Sequence, residues 1–182
     1  MNLTIDRIAS PIGTLLVATD DAAVRMLHFG DDVAHAVRRL RGLYATIDVI
    51  ERRERLGVRE RLDAYFGGEF GAFDDLRLAT NGTAFQKTVW SALREIEPGT
   101  TRSYGELAKR IGAPGAARAV GLANGANPIA LIVPCHRVIG ADRSLTGFGG
   151  GLPRKAWLLR HEGVPFIPEP APQTAFEFLS SE

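Results

Sequence analysis

The pattern of the chain changes near residue 80, and that break constrains the fold more than any other feature. Before it lie three short β-type segments, at about residues 3–9, 14–19 and Val24–Phe29. Ser10-Pro11-Ile12-Gly13 and Asp20-Asp21 are turn sequences between them, so the start reads as an antiparallel meander. A helix is expected over Val33–Leu43, with Val33, Val37 and Leu40 on one face. A second is expected over residues 57–66, stopped by Gly67-Gly68. The boundary falls at residues 78–82, where Asn81-Gly82 is a turn signal, and helical patterns follow it. Thr83 and Gln86 have capping-box spacing, and Phe85, Val89, Trp90 and Leu93 share one face of a helix that Pro98-Gly99 ends. The expected fold class is α/β: a small N-terminal domain with an antiparallel sheet over residues 1–80, then a mainly helical domain over residues 81–166. The tail, residues 167–182, reads as an extended segment without a packing pattern.

A chain of 182 residues can bury a real core. No run approaches the ~18 apolar residues that a membrane span needs. The first residues lack a basic and then apolar leader pattern, so a cytoplasmic protein is expected. One cysteine excludes an internal disulfide and any zinc site built on two or more thiolates. His28, His35, His136 and His161 have no paired metal spacing, so neither a metal nor a cofactor is expected. The net charge of +1 hides an asymmetry: residues 1–82 carry 11 Lys and Arg against 13 Asp and Glu, whereas residues 83–165 carry 11 against 5. A polyanion would be drawn to the later part.

Ser103 and Glu106 form a second capping-box pair, opening a short helix with Leu107, Ala108 and Ile111. Gly112-Ala113-Pro114-Gly115 interrupts it, and another helix is expected over residues 116–124. The outline fits a helix-turn-helix or an ordinary αα-hairpin. In the second helix Ala116, Ala117, Ala119, Gly121, Ala123 and Gly125 surround one long basic side chain, Arg118. Small residues suit close helix packing. They also suit a narrow groove that only Arg118 is long enough to probe.

Ile129-Ala130-Leu131-Ile132-Val133 reads as a buried strand, and Pro134 extends the chain up to Cys135. The thiolate is the reactive form of cysteine. His136 and Arg137 are adjacent in sequence, but neighbours in an extended chain point to opposite faces. A direct Cys135–His136 bond would need a turn; otherwise one water must relay the proton. Glu162, at the end of a helix expected from Pro153, is the candidate partner that orients His136. The alternative is a buried structural thiol.

Residues 83–163 resemble the catalytic domain of the O6-alkylguanine-DNA alkyltransferases, the methylated-DNA–protein-cysteine methyltransferases. The resemblance rests on Pro134-Cys135-His136-Arg137-Val138, flanked in order by Ser103-Tyr104-Gly105, Ala116-Ala117-Arg118-Ala119-Val120-Gly121, Asn127-Pro128 and Trp157-Leu158-Leu159-Arg160-His161-Glu162-Gly163. It implies that Cys135 accepts the alkyl group and is consumed. His136 acts as base through a water, Glu162 orients it, Asn127 fixes the turn that presents the cysteine, and Tyr104 bonds the flipped base. Arg118 fills the gap left in the duplex, with Ala117, Ala119, Gly121 and Arg137 on the DNA side. Val138, Phe148 and Gly149 form the base pocket. The implied partner is double-stranded DNA containing alkylated guanine, bound by a monomer, with no membrane and no cofactor. Phe148 stands where some relatives carry tyrosine, and Ala126 where some carry glycine. Zinc-binding cysteines found in some N-terminal domains are absent. Relatives that only recognise damage lack the cysteine, and an unrelated cysteine hydrolase would need an oxyanion hole and would turn over repeatedly.

Overall fold

The computed structural model describes residues 1–165; the tail read from the sequence at residues 167–182 lies outside them. β1 (Asn2–Ile8), β2 (Leu15–Thr19) and β3 (Val24–Phe29) form the expected meander. Alternation decides which way each residue faces. Leu15 and Val17 of β2 join a large core, and Leu16 and Ala18 join a smaller one on the opposite face. The smaller core is closed by Ala36 and Leu40 of α1 (Val33–Leu43). Asp32 caps that helix by accepting from the His35 backbone N–H at 2.8 Å.

The sheet is not purely antiparallel. β4 (Asp48–Glu51) pairs parallel with β1, Leu3 opposite Val49, and gives the order β3-β2-β1-β4. This edge strand is mostly exposed, so its sequence has no alternation to betray it. α2 (Val58–Phe66) starts after Gly57, whose φ of +71° favours glycine.

The second half begins with α3 (Ala84–Arg94), where both bonds of the expected capping box are made. β5 (Arg102–Ser103) leads into α4 (Tyr104–Arg110), again with a complete capping box, and α5 (Ala117–Gly125) follows. Gly112 and Gly115, both at positive φ, make the intervening turn. β6 (Val138–Ile139) pairs with β5, and α6 (Leu152–His161) carries Glu162 at its end.

Residues 129–133 do not form the expected strand. Ile129 and Ala130 touch the edge of β3: Leu27 N–H donates to Pro128 O at 3.0 Å and Ala130 N–H to Leu27 O at 3.1 Å. Leu131 then adopts φ +71°, with Ile132 N–H donating to Ala130 O at 2.9 Å, the geometry of a tight γ-turn. Val133 N–H returns to Ile129 O at 2.9 Å. Apolar composition alone does not separate a buried strand from a buried turn, and the prolines at both ends remove two of the donors that a ladder would use.

The large core runs across both halves. Ile8, Leu15 and Leu27 pack in one buried cluster with Leu93, Val120, Ile129 and Leu158. The sequence boundary near residue 80 falls between α2 and α3, on a connection that this cluster spans. No described helix is long and apolar enough to cross a membrane.

Candidate active site

Two successive tight turns place the cysteine. After the γ-turn at Leu131, Pro134 sits at φ −80°, ψ 63°, and Cys135 N–H donates to Val133 O at 2.7 Å. Cys135–Arg137 is then one turn of 3-10 helix. The expectation of an extended chain up to Cys135 is therefore corrected: proline restricts its predecessor, but its own ψ is free to close a turn. Asn127 holds this geometry, its Nδ2 donating to Val133 O at 2.8 Å and its Oδ1 accepting from Ile129 N–H at 3.0 Å. Asn124 Nδ2 points at Cys135 O, 3.4 Å away.

His136 is fully buried, and its Nε2 lies 2.9 Å from Glu162 Oε1. A carboxylate there requires the proton on Nε2 and leaves the Nδ1 lone pair free to act as a base. Nδ1 is buried and has no hydrogen-bond partner. Burial pushes the His136 pKa down, and Glu162 opposes that only in part. Burial would raise the Glu162 carboxyl, but the hydrogen bonds and charges of His136 and Arg137 outweigh it and hold the group well below the usual carboxylate range.

Arg137 departs from its expected place on the DNA side. Its guanidinium turns inward, with Nε 2.8 Å from Glu162 Oε2, Nη2 2.9 Å from Oε1 and Nη1 on Ile96 O. The 3-10 turn rotates the side chain toward α6, where a buried carboxylate offers a bidentate partner.

Two contacts were not foreseen from the sequence. Tyr65 of α2, wholly buried, donates its hydroxyl to Glu162 Oε1 at 2.7 Å. Lys155 of α6 is wholly buried, its Nζ donating to Val138 O at 2.6 Å and Thr146 O at 2.8 Å. Burial lowers the Lys155 pKa to about 8, against the pull of Cys135. Burial also raises the Cys135 thiol, while hydrogen bonding from Asn127 and the Lys155 charge pull it down. A sequence signal for Lys155 does exist: it stands two turns before Glu162, on the face of α6 that carries the buried Leu158 and Leu159. Tyr65 lies in an ordinary amphipathic pattern and gives no such signal.

Cys135, Asn127, Phe148 and Gly149 line one cavity of about 30 Å³, together with Asn124 and the first-half residues Leu27, His28, Phe29 and Arg39. Val138 is buried outside that lining, its carbonyl engaged by Lys155. Tyr104 accepts a hydrogen bond from Thr146, two residues from Phe148, at 3.2 Å. Gly121 backs onto Tyr104: a Cβ there would sit 3.7 Å from the ring, so this glycine faces α4. Arg118 and Ala119 are exposed, Ala117 is half-buried, and Leu122 beside them is 74% exposed. Among the described residues no cluster of three or more His, Cys, Asp or Glu could hold a metal ion.

The family model described as the 6-O-methylguanine DNA methyltransferase DNA-binding domain matches residues 84–164. A methylated-DNA–protein-cysteine methyltransferase of Salmonella typhimurium is 44% identical over 167 residues, covering 90% of this chain and 97% of the relative. One from Mycolicibacterium paratuberculosis is 52% identical over 153 residues, covering 84% and 88%. Among solved structures, Mycobacterium tuberculosis OGT in complex with DNA superposes with a TM-score of 0.74 at 46% identity, covering 87% of this chain and 92% of the other. With most of both lengths matched at these identities, the chain belongs to the methylated-DNA–protein-cysteine methyltransferase family.

Proposed function

We propose that this protein reverses alkylation damage in double-stranded DNA, moving the alkyl group of O6-alkylguanine onto Cys135 once per molecule. The observation that carries the reading is the shared cavity: the lone thiol sits in it, backed by the His136–Glu162 pair and next to the helix that exposes Arg118. The cavity of about 30 Å³ exceeds the roughly 10–15 Å³ of such space that one water needs, so it has room for water beside the thiol. A water passes the thiol proton to His136 Nδ1, the unpartnered ring nitrogen. The sulfur then attacks the alkyl carbon, the carbon–oxygen bond breaks, and guanine departs as an anion that recovers a proton. Tyr104 supports the base as it leaves. The product is a thioether with no leaving group to restore the thiol.

The alkyl carbon is hard to reach within a base stack, so the nucleotide is flipped out, at a cost of a few kcal/mol. The exposed face of α5 enters the groove, Arg118 fills the space left behind, and Ala117 and Ala119 permit close approach. The base enters beside Phe148 and Gly149, which line the cavity with Cys135. Residues 1–80 form the bracing domain and residues 81–166 the catalytic one. The thiol, its base and the base's partner all lie on one chain, so a monomer suffices for the reaction. A thiol that must stay free belongs in a reducing compartment, the cytoplasm.

The test is to supply a duplex oligonucleotide whose O6-methylguanine is labelled in the methyl group, then digest the protein. Label should appear on the peptide containing Pro134-Cys135-His136 and vanish in Cys135→Ser, which should bind the duplex within a few fold of wild type. An alcohol is a far weaker nucleophile than a thiolate near neutral pH. Label on another peptide, or retained transfer in the serine variant, contradicts the assignment.

A further inference from the structure

Tyr65 touches the relay, yet the transfer chemistry above gives it no part. Its hydroxyl donates to Glu162 Oε1 at 2.7 Å. The same oxygen faces His136 Nε2 at 2.9 Å and Arg137 Nη2 at 2.9 Å, so three donors share one carboxylate oxygen. The ring is held firmly: it stacks on Phe73 with centroids 5.1 Å apart and meets Phe66 and Phe70 edge-on. His161 Nε2 lies 2.9 Å from the Tyr65 carbonyl. A phenylalanine would fill this aromatic nest equally well. The hydroxyl is the distinctive part, and it arrives from the first half of the chain, 97 residues from its acceptor.

We propose that Tyr65 is a positioning residue for alkyl transfer: by donating to Glu162 Oε1, its hydroxyl limits how strongly that carboxylate holds His136 and so sets the basicity of His136 Nδ1. The inference rests on the alkyl-transfer reading of the site. The charged and titratable groups around the pair are Arg137 on the 3-10 turn, Lys155 and His161 on α6, and Cys135 itself. Arg137 and Lys155 resist protonation of His136, whereas Glu162 favours it. Burial and the Glu162 charge push the Tyr65 hydroxyl far up, so it remains a neutral donor throughout the working range. Without that donor, Glu162 concentrates on His136 and stabilises the imidazolium, which then persists to higher pH.

The experiment measures single-turnover methyl transfer from a duplex containing O6-methylguanine across the pH range, for wild type and Tyr65→Phe. An NMR titration of the His136 ring runs beside it as a readout independent of activity. In Tyr65→Phe the acid limb and the His136 titration should both move up by about half to one pH unit, as expected for loss of a hydrogen bond to a charged group. Duplex binding should stay within about twofold, since no DNA-facing group changes. Replacing Tyr65 by site-specific 3-fluorotyrosine keeps ring and hydroxyl and strengthens the donor, so both should move down; this arm remains readable if Tyr65→Phe folds poorly. Phe73→Leu disturbs the same nest without touching Glu162, and should lower stability while leaving the pH profile in place. Unmoved titrations in the Tyr65 variants overturn the proposal and leave Tyr65 a packing residue. Failure of wild type to transfer at all counts instead against the alkyl-transfer reading.

Discussion

Cys135 lies where burial resists ionisation, so its reactivity must come from its neighbours. The charge of Lys155 favours the thiolate, and its own pKa of about 8 leaves it largely cationic at neutral pH. Lys155→Met should therefore slow transfer at neutral pH, and the deficit should shrink in more alkaline buffer, where the thiol ionises unaided and wild-type Lys155 has lost its proton. Single-turnover rates at several pH values check this; a deficit constant with pH would instead indicate a purely structural lysine. Glu162 carries a second prediction. Glu162 and His136 both bind protons less readily folded than unfolded. Their contribution to stability is thus complete above about pH 6.5, the ordinary histidine value, and erodes as the pH falls, through His136 first and Glu162 later. Glu162→Gln leaves the Arg137 guanidinium buried without its anion, at a cost of about 3–5 kcal/mol. Denaturant titrations should find that variant less stable at neutral pH and flatter below about pH 4.5, where the Glu162 contribution is lost in wild type. Equal acid slopes in both proteins would contradict the assignment.

At the scale of elements, legibility followed local chemistry. The capping boxes at Thr83 and Ser103 were readable because each uses two side chains at fixed spacing, and both are fully formed. The segment 129–137 was not readable, because its shape depends on Asn127 bonds and on a strained φ at Leu131 that apolar residues do not announce. Arg137 was misplaced for the same reason: its direction follows from the turn, not from its neighbours in sequence. Tyr65 and β4 needed tertiary partners that no local pattern encodes. α5 kept its reading, shifted by one residue at each end, with Arg118 exposed on it. Arg118→Ala should weaken repair of duplex DNA much more than transfer from free O6-methylguanine, since a free base has no stack to leave. Parallel assays on the two substrates check this, and equal losses would point to a folding role for α5.

At the scale of the molecule, the sheet of the first half supplies one wall of the cavity and the edge against which the Cys135 turn is built. Leu27 exchanges backbone bonds with Pro128 and Ala130, while Phe29 packs at a tilt on Phe148. The continuous core between the halves holds these parts in register. The whole chain is then a device that reacts once, because its single thiol has no second cysteine to which the alkyl group could pass. The most direct measurement is a titration with excess O6-methylguanine duplex, read by counting repaired bases and by intact-protein mass. Repair should stop at one base per active molecule whatever the incubation time, with every spent protein heavier by one methyl group. Repair that continues beyond one equivalent, or protein that remains at its original mass, would contradict the mechanism.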